Sequence, residues 1–198
     1  MQPLPLRLLS EASKKRLHSA SRLDQSPRMP RWAGPCEPTI ATLADGRVFL
    51  AFRLGGGQAL WTAFSRTHGA SWGEPTAMKG AGGHKPFAVW PQAKVLSNGV
   101  LVVSSGRPGI GFYLSPSPNP EGATWLVANV TAEHTKNLPA DPWLDGDQTT
   151  SYTSMAEVAP GAVLLAYDKR RGCVDCNGEK GVGGKTEKVY SVRINVTA

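Results

Sequence analysis

The chain has 198 residues, a net charge of +7, 22 glycines and 16 prolines. That length suits one domain with a sizeable core, and so much Gly and Pro suits short strands joined by many turns; no apolar run approaches the ~18 residues of a membrane span. The charge is not a nucleic-acid signature: residues 1–31 hold seven Lys/Arg against two acids, the other 167 residues carry only +2, and interleaved base-stacking aromatics are missing.

Residues 1–31 read as a disordered basic tail, Ser-rich and acid-poor, with room for one short helix over residues 7–17. A continuous apolar stretch followed by a small-residue cleavage site is missing, which argues against a secretory signal. A transit peptide shares the Arg- and Ser-rich composition, so the compartment stays open.

From Trp32 the character changes, and residues 32–198 form the candidate domain. Three segments align: ATLADGRVFLAFR (Ala41–Arg53), KVLSNGVLVVSSGR (Lys94–Arg107) and EVAPGAVLLAYDKR (Glu157–Arg170). Each reads as the end of a strand, a two-residue hairpin turn at a glycine, and a following strand rich in β-branched or aromatic residues. Further strands are expected at Ala59–Ser65, Gly111–Ser115 and Val189–Val196. Two turns end alike, SRTHGASW (Ser65–Trp72) and SPNPEGATW (Ser117–Trp125); Gly46 to Trp72 and Gly99 to Trp125 are both 26 residues. A period of 53 to 62 residues with about four short strands, and no helical stripe after the tail, predicts an all-β fold of antiparallel blades around an axis. The recurring tryptophan is expected to pack at the hairpin between neighbouring strands of one blade.

Cys36 stands alone, and Cys173 and Cys176 form a lone CxxC that no second pair or spaced His pair completes, so no metal site is assigned. His68, His84 and His134 lack metal spacing and are expected at the surface. Asp141, Asp145 and Asp147 are read as a solvated acidic turn. Asn129-Val-Thr131 and Asn195-Val-Thr197 match the glycosylation sequon, a pattern that also arises by chance.

SRTHGASW resembles the Asp-box (BNR) turn of sialidases, with Thr67 where the aspartate stands, and SPNPEGATW resembles the same box with Asn119 there and one extra residue before Gly122. The segments between are similar to sialidases in order. GPCEPTIATLADGRVFLAFR matches the blade with a glutamate and a carboxylate-binding arginine, at Glu37 and Arg53. SSGRPGIGFYLS matches a later arginine at Arg107, and TSYTSMAEVAPGAVLLAYD matches the segment of the tyrosine nucleophile at Tyr152, with Asp168 at the supporting acidic position. Taken singly each has a bland reading, as a strand-end arginine, a rim tyrosine or a loop acid. Their shared order over residues 34–196 carries the assignment.

The resemblance implies a six-bladed sialidase-type β-propeller of which about three blades are present. It implies an exo-acting, retaining glycoside hydrolase that releases terminal sialic acid. The chemistry fits the residue types. Arginine forks bind a carboxylate bidentately, and a neutral tyrosine hydroxyl is not repelled by that carboxylate as an anionic nucleophile would be. Tyrosine, with a free pKa of about 10, needs a base such as Glu37 to take its proton. No cofactor is implied, and the partner is a glycan or sialoside substrate. The family's first carboxylate-binding arginine and its general-acid aspartate have no match here, so the chain is expected to be a truncated product whose unpaired blade edges another chain would cover. The alternatives are a non-catalytic propeller segment that binds glycan or protein, and a BNR hydrolase acting on another sugar.

Overall fold

The computed structural model describes residues 34–54, 58–107, 109–115, 119–138, 152–169 and 188–197. The tail, the CxxC and the Asp141–Asp147 loop lie outside them. Within them, three sheets succeed one another in chain order. The first is β1 (Pro35–Thr42), β2 (Val48–Leu54), β3 (Leu60–Ser65) and β4 (Thr76–Ala77) in a simple antiparallel meander. The second has the order β5-β9-β8-β7-β6, from β5 (Lys79–Gly80), β6 (Val89–Val95), β7 (Leu101–Gly106), β8 (Ile110–Leu114) and β9 (Thr124–Asn129). In it β5 joins the outer strand β9 in parallel. The third is β10 (Thr153–Ala159), β11 (Ala162–Lys169) and β12 (Lys188–Asn195). β1 packs against β6, and β10 against β6 and β7. The first strands of the sheets therefore converge while later strands fan outward, and the described residues form an all-β partial propeller of three blades.

The hairpins explain the glycines. Gly46 and Gly99 have φ of 83° and 84°. In the first, the Leu43 N–H donates to Arg47 O and the Gly46 N–H to Leu43 O; in the second, Leu96 donates to Val100 O and Gly99 to Leu96 O. These are three-residue loops closed by a left-handed residue, not the two-residue turns read from the sequence. The extra residue gives each loop a type I turn that tolerates Asp or Asn before the glycine. Only the third hairpin, Pro160-Gly161 between the paired Ala159 and Ala162, has two residues.

The core of the described residues has two seams between blades and a third cluster on the other face of the first sheet. Between the first and second blades lie Phe49, Ala51, Leu60, Phe64, Leu101, Val103, Tyr113 and Trp125. Trp125 is 2% exposed, with its ring 5.8 Å from that of Phe49. The tryptophan thus fills the space between blades rather than the hairpin within one. Trp72, 53 residues earlier, packs on the other face of the first sheet with Leu50, Phe52, Leu54 and Ala63. Its turn closes through hydroxyls: Ser65 Oγ accepts from the Gly69 N–H at 2.8 Å, and Thr67 Oγ1 accepts from the Ser71 N–H at 2.8 Å, a contact suited to the carboxylate of an aspartate. Between the second and third blades lie Leu96, Val102, Ile110, Phe112, Val163, Leu165 and Tyr167. Gly111 in β8 is required by the first of these seams, because the Tyr113 ring lies directly over the place a Cβ would take.

One helix departs from the sequence reading, α1 (Val130–Asn137). Asn129 caps it, its Oδ1 accepting the Ala132 N–H at 3.0 Å, so the sequon asparagine has a structural task. Only Val130 and His134 of this helix are buried, too narrow a stripe to register as helical periodicity. Among the described residues no helix is long and apolar enough to cross a membrane.

Candidate functional site

Strands β1 and β6 begin the same way. Their pairing slips between Cys36 and Thr39 and between Val89 and Gln92. The extra residues are Glu37-Pro38 and Trp90-Pro91, and proline has no N–H to give the ladder, so each strand bulges there. The residue before each proline takes a left-handed backbone, with φ of 50° at Glu37 and 49° at Trp90. A bulge re-aims its side chain out of the strand's alternation. Tyr152 occupies the same place in the third blade, just before β10. All three lie nine residues before the hairpin glycines Gly46, Gly99 and Gly161.

These equivalent positions meet at one end of the converging strands. Arg53, paired in register with Cys36, donates from Nη1 to Glu37 Oε1 at 2.9 Å, with both side chains about a quarter exposed. Glu37 Oε2 accepts the backbone N–H of Trp90 at 2.7 Å. The Trp90 and Tyr152 rings then lie against each other, centroids 5.0 Å apart and tilted by 45°. The order in space is Arg53, Glu37, Trp90, Tyr152. Both Glu37 oxygens have partners, and neither partner is the Tyr152 hydroxyl. Trp90 and Tyr152 are 44% and 52% exposed, an apolar surface left open beside a charged pair.

For Arg107 and Asp168 the strand register gives the place. Arg107 follows Gly106, the partner of Val89, and has φ of 61° with its N–H donating to Gly109 O at 2.8 Å. It therefore lies just past the end of β7, near the start of β6, one residue beyond Gly106, which is the position equivalent to Arg53. Asp168 is half-buried; β11 pairs Tyr167 with Thr153, so the next step sets Asp168 across from Tyr152.

Sequence reasoning passed over Trp90. The signal was there: residues 36–46 and 89–99 align with a constant offset of 53, which puts Trp90-Pro91 on Glu37-Pro38. It also misplaced His134, which is 4% exposed rather than on the surface. His134 Nδ1 and the Tyr167 hydroxyl hydrogen-bond at 2.9 Å, and the Tyr190 ring sits edge-on to the imidazole at 4.7 Å. Burial pushes the Tyr167 hydroxyl pKa up. A cavity of about 400 Å3 opens beside this group, between α1 and the outer strands of the third blade. Among the described residues no three His, Cys, Asp or Glu side chains gather as a metal would need.

A protein of unknown function from Dyadobacter fermentans DSM 18053 superposes on 83% of this chain and 39% of its own, with a TM-score of 0.55 at 17% identity. A Hadza microbial sialidase covers 86% of this chain and 34% of its own, at 17% identity and a TM-score of 0.49. An α-L-arabinanase from Penicillium chrysogenum, complexed with arabinobiose, covers 69% and 42%, at 15% identity and a TM-score of 0.48. At such identities the first likeness concerns the fold alone, and the other two superpose too loosely to add to it. This chain spans less than half the length of each of the three. No protein-family model matches the sequence, and no curated protein matches it either.

Proposed function

We propose that the chain carries part of the site of a sialidase-type glycoside hydrolase, exo-acting and retaining, that releases a terminal sialic acid or a related acidic sugar. The observation behind it is the gathering of Glu37, Arg53 and Tyr152 at one end of three neighbouring blades, joined through Trp90. In this reading the Tyr152 oxygen bonds to the anomeric carbon as the glycosidic bond breaks, and Glu37 takes the phenolic proton. The leaving oxygen takes its proton from an acid that the family supplies outside the matched segments. Water then releases the sugar and restores the tyrosine. Arg53 and Arg107 hold the substrate carboxylate, and Asp168 supports the site opposite Tyr152.

Tyr152→Phe tests the central role. Release of sialic acid from a sialoside should fall at least a thousandfold, while free N-acetylneuraminic acid still binds; unchanged turnover sinks the nucleophile. Arg107→Lys should weaken acidic sugars more than neutral ones, since lysine cannot make the planar fork.

A second reading, a propeller that binds acidic glycans without cleaving them, is favoured by one feature. Both Glu37 oxygens are already engaged, by Arg53 and by the Trp90 N–H, and not by the Tyr152 hydroxyl. On this reading a sialoside binds the wild type and Tyr152→Phe equally, and neither releases sialic acid.

A further inference from the structure

We infer that Trp90, braced by the Tyr152 ring, is a stacking platform for the C–H face of a sugar ring, and that it is the ligand-binding residue of the second blade. The inference rests on the reading of Tyr152 as facing the substrate, and adds to it a residue and a recognition mode.

Three observations converge on it. The first is exposure. Each seam of the fold buries its large aromatics, yet these two rings, in mutual contact, stay about half open. Aromatic surface left uncovered beside polar groups is the usual lining of a small-molecule site. The second is backbone cost. A bulky residue at φ of 49° is strained, and glycine or asparagine would sit there more easily. Strain of this kind is held where surrounding structure over-determines it, and it concentrates at binding and catalytic sites. Pro91 and the hydrogen bond to Glu37 fix the Trp90 backbone, but neither needs an indole side chain. The third is arrangement. The platform borders the Arg53–Glu37 pair, so an apolar floor adjoins a charged wall. That combination fits a monosaccharide with one apolar ring face and an anionic substituent. The sugar ring lies on Trp90 with Tyr152 at its edge, and the anion turns to Arg53.

A purely structural role for Trp90 makes a different prediction, because its contact with Glu37 is made by the backbone. Trp90→Gly keeps that N–H and relieves the left-handed strain, removing only the ring. The test is calorimetric titration of the full chain with N-acetylneuraminic acid and, separately, with galactose as a neutral ring, for wild type, Trp90→Gly, Trp90→Phe and Arg53→Lys. The platform predicts that Trp90→Gly weakens binding roughly tenfold or more and Trp90→Phe less, with a thermal midpoint no lower than wild type for Trp90→Gly. Binding by Trp90→Gly within twofold of wild type overturns the platform; a loss confined to acidic sugar in Arg53→Lys would then leave the carboxylate reading standing. Trp90-dependent binding of galactose without binding of the acidic sugar supports the platform and overturns the sialoside reading. Failure of the wild type to bind either sugar overturns both.

Discussion

The two seams between blades are built of different material. The seam between the first and second blades joins them by apolar contact, with Phe49 against Phe64 at 5.5 Å and against Trp125 at 5.8 Å, and the buried Tyr113 hydroxyl in it bonds within the second blade, accepting the Phe87 N–H. Its polar links between blades run along the inner strands and at the solvent edge: Glu37 Oε2 accepts the Trp90 N–H, Thr39 Oγ1 accepts the Ala93 N–H, and Arg47 and Arg66 reach Glu121. The seam between the second and third blades carries polar pairs inside. Ser104 and Thr153 share a buried hydroxyl hydrogen bond of 2.8 Å, and His134 meets Tyr167. An apolar seam is strong but tolerates sliding, whereas a buried hydrogen bond fixes a relative position and penalises any other. Thr153 is the residue after Tyr152. The polar seam thus sets where the candidate nucleophile stands, and the apolar seam supplies most of the cohesion that holds Glu37, Arg53 and Trp90.

Removing the centre of the apolar seam should have the largest effect. Trp125→Ala deletes a fully buried ring between rigid sheets, and such truncations cost about 3–5 kcal/mol. Urea unfolding of this variant should show a much lower midpoint than Tyr167→Phe in the polar seam, which keeps the ring and gives up the bond to His134, about 1 kcal/mol. Comparable losses would mean that the two seams do not differ as drawn here.

A double-mutant cycle sharpens the contrast. Thr153→Val preserves volume but leaves the Ser104 hydroxyl buried without its partner, and Ser104→Ala does the reverse; each should cost about 1–3 kcal/mol. The double variant should recover most of one of these losses, because neither side retains an unmet donor or acceptor. Strict additivity of the two losses would show that the hydroxyls do not act as a pair.

How much of this was legible in the sequence depends on what each residue needs from its neighbours. The hairpins at Gly46, Gly99 and Gly161 were readable because a left-handed turn demands glycine locally, whatever the rest of the fold does. The loop lengths were less so, since an Asp-Gly or Asn-Gly pair serves both two- and three-residue turns. Trp125 was recognised as a buried anchor but given the wrong partners, because which face of a strand meets the next blade is a tertiary fact. α1 was missed for the same reason: two buried residues suffice when Asn129 caps the helix and neighbouring blades supply the contacts. At the candidate site, Glu37, Arg53 and Tyr152 were found through a resemblance in order. Trp90 needed only the internal repeat, in which position nine before each hairpin glycine carries Glu, Trp and Tyr in turn.

The smallest effect is expected at the solvent edge of the polar seam. Glu157 takes the Ser97 Oγ–H at 2.7 Å, the Ser97 N–H at 2.9 Å and the Gly161 N–H at 2.9 Å, tying the turn of the second blade to that of the third. The Ser97 hydroxyl and then the Gly161 N–H hold its carboxyl pKa below the ordinary 4.5. A folded-state pKa below the unfolded one means that the stabilisation is complete above the unfolded value and disappears as pH falls through the folded value. The group faces water, so its share is small beside the buried pair. Wild type should therefore lose more urea resistance than Glu157→Gln between about pH 6 and pH 3, since the glutamine cannot titrate and still accepts a neutral hydrogen bond. Equal losses in the two proteins would remove Glu157 from the seam's stabilising contacts and leave the buried Ser104–Thr153 pair to fix the third blade.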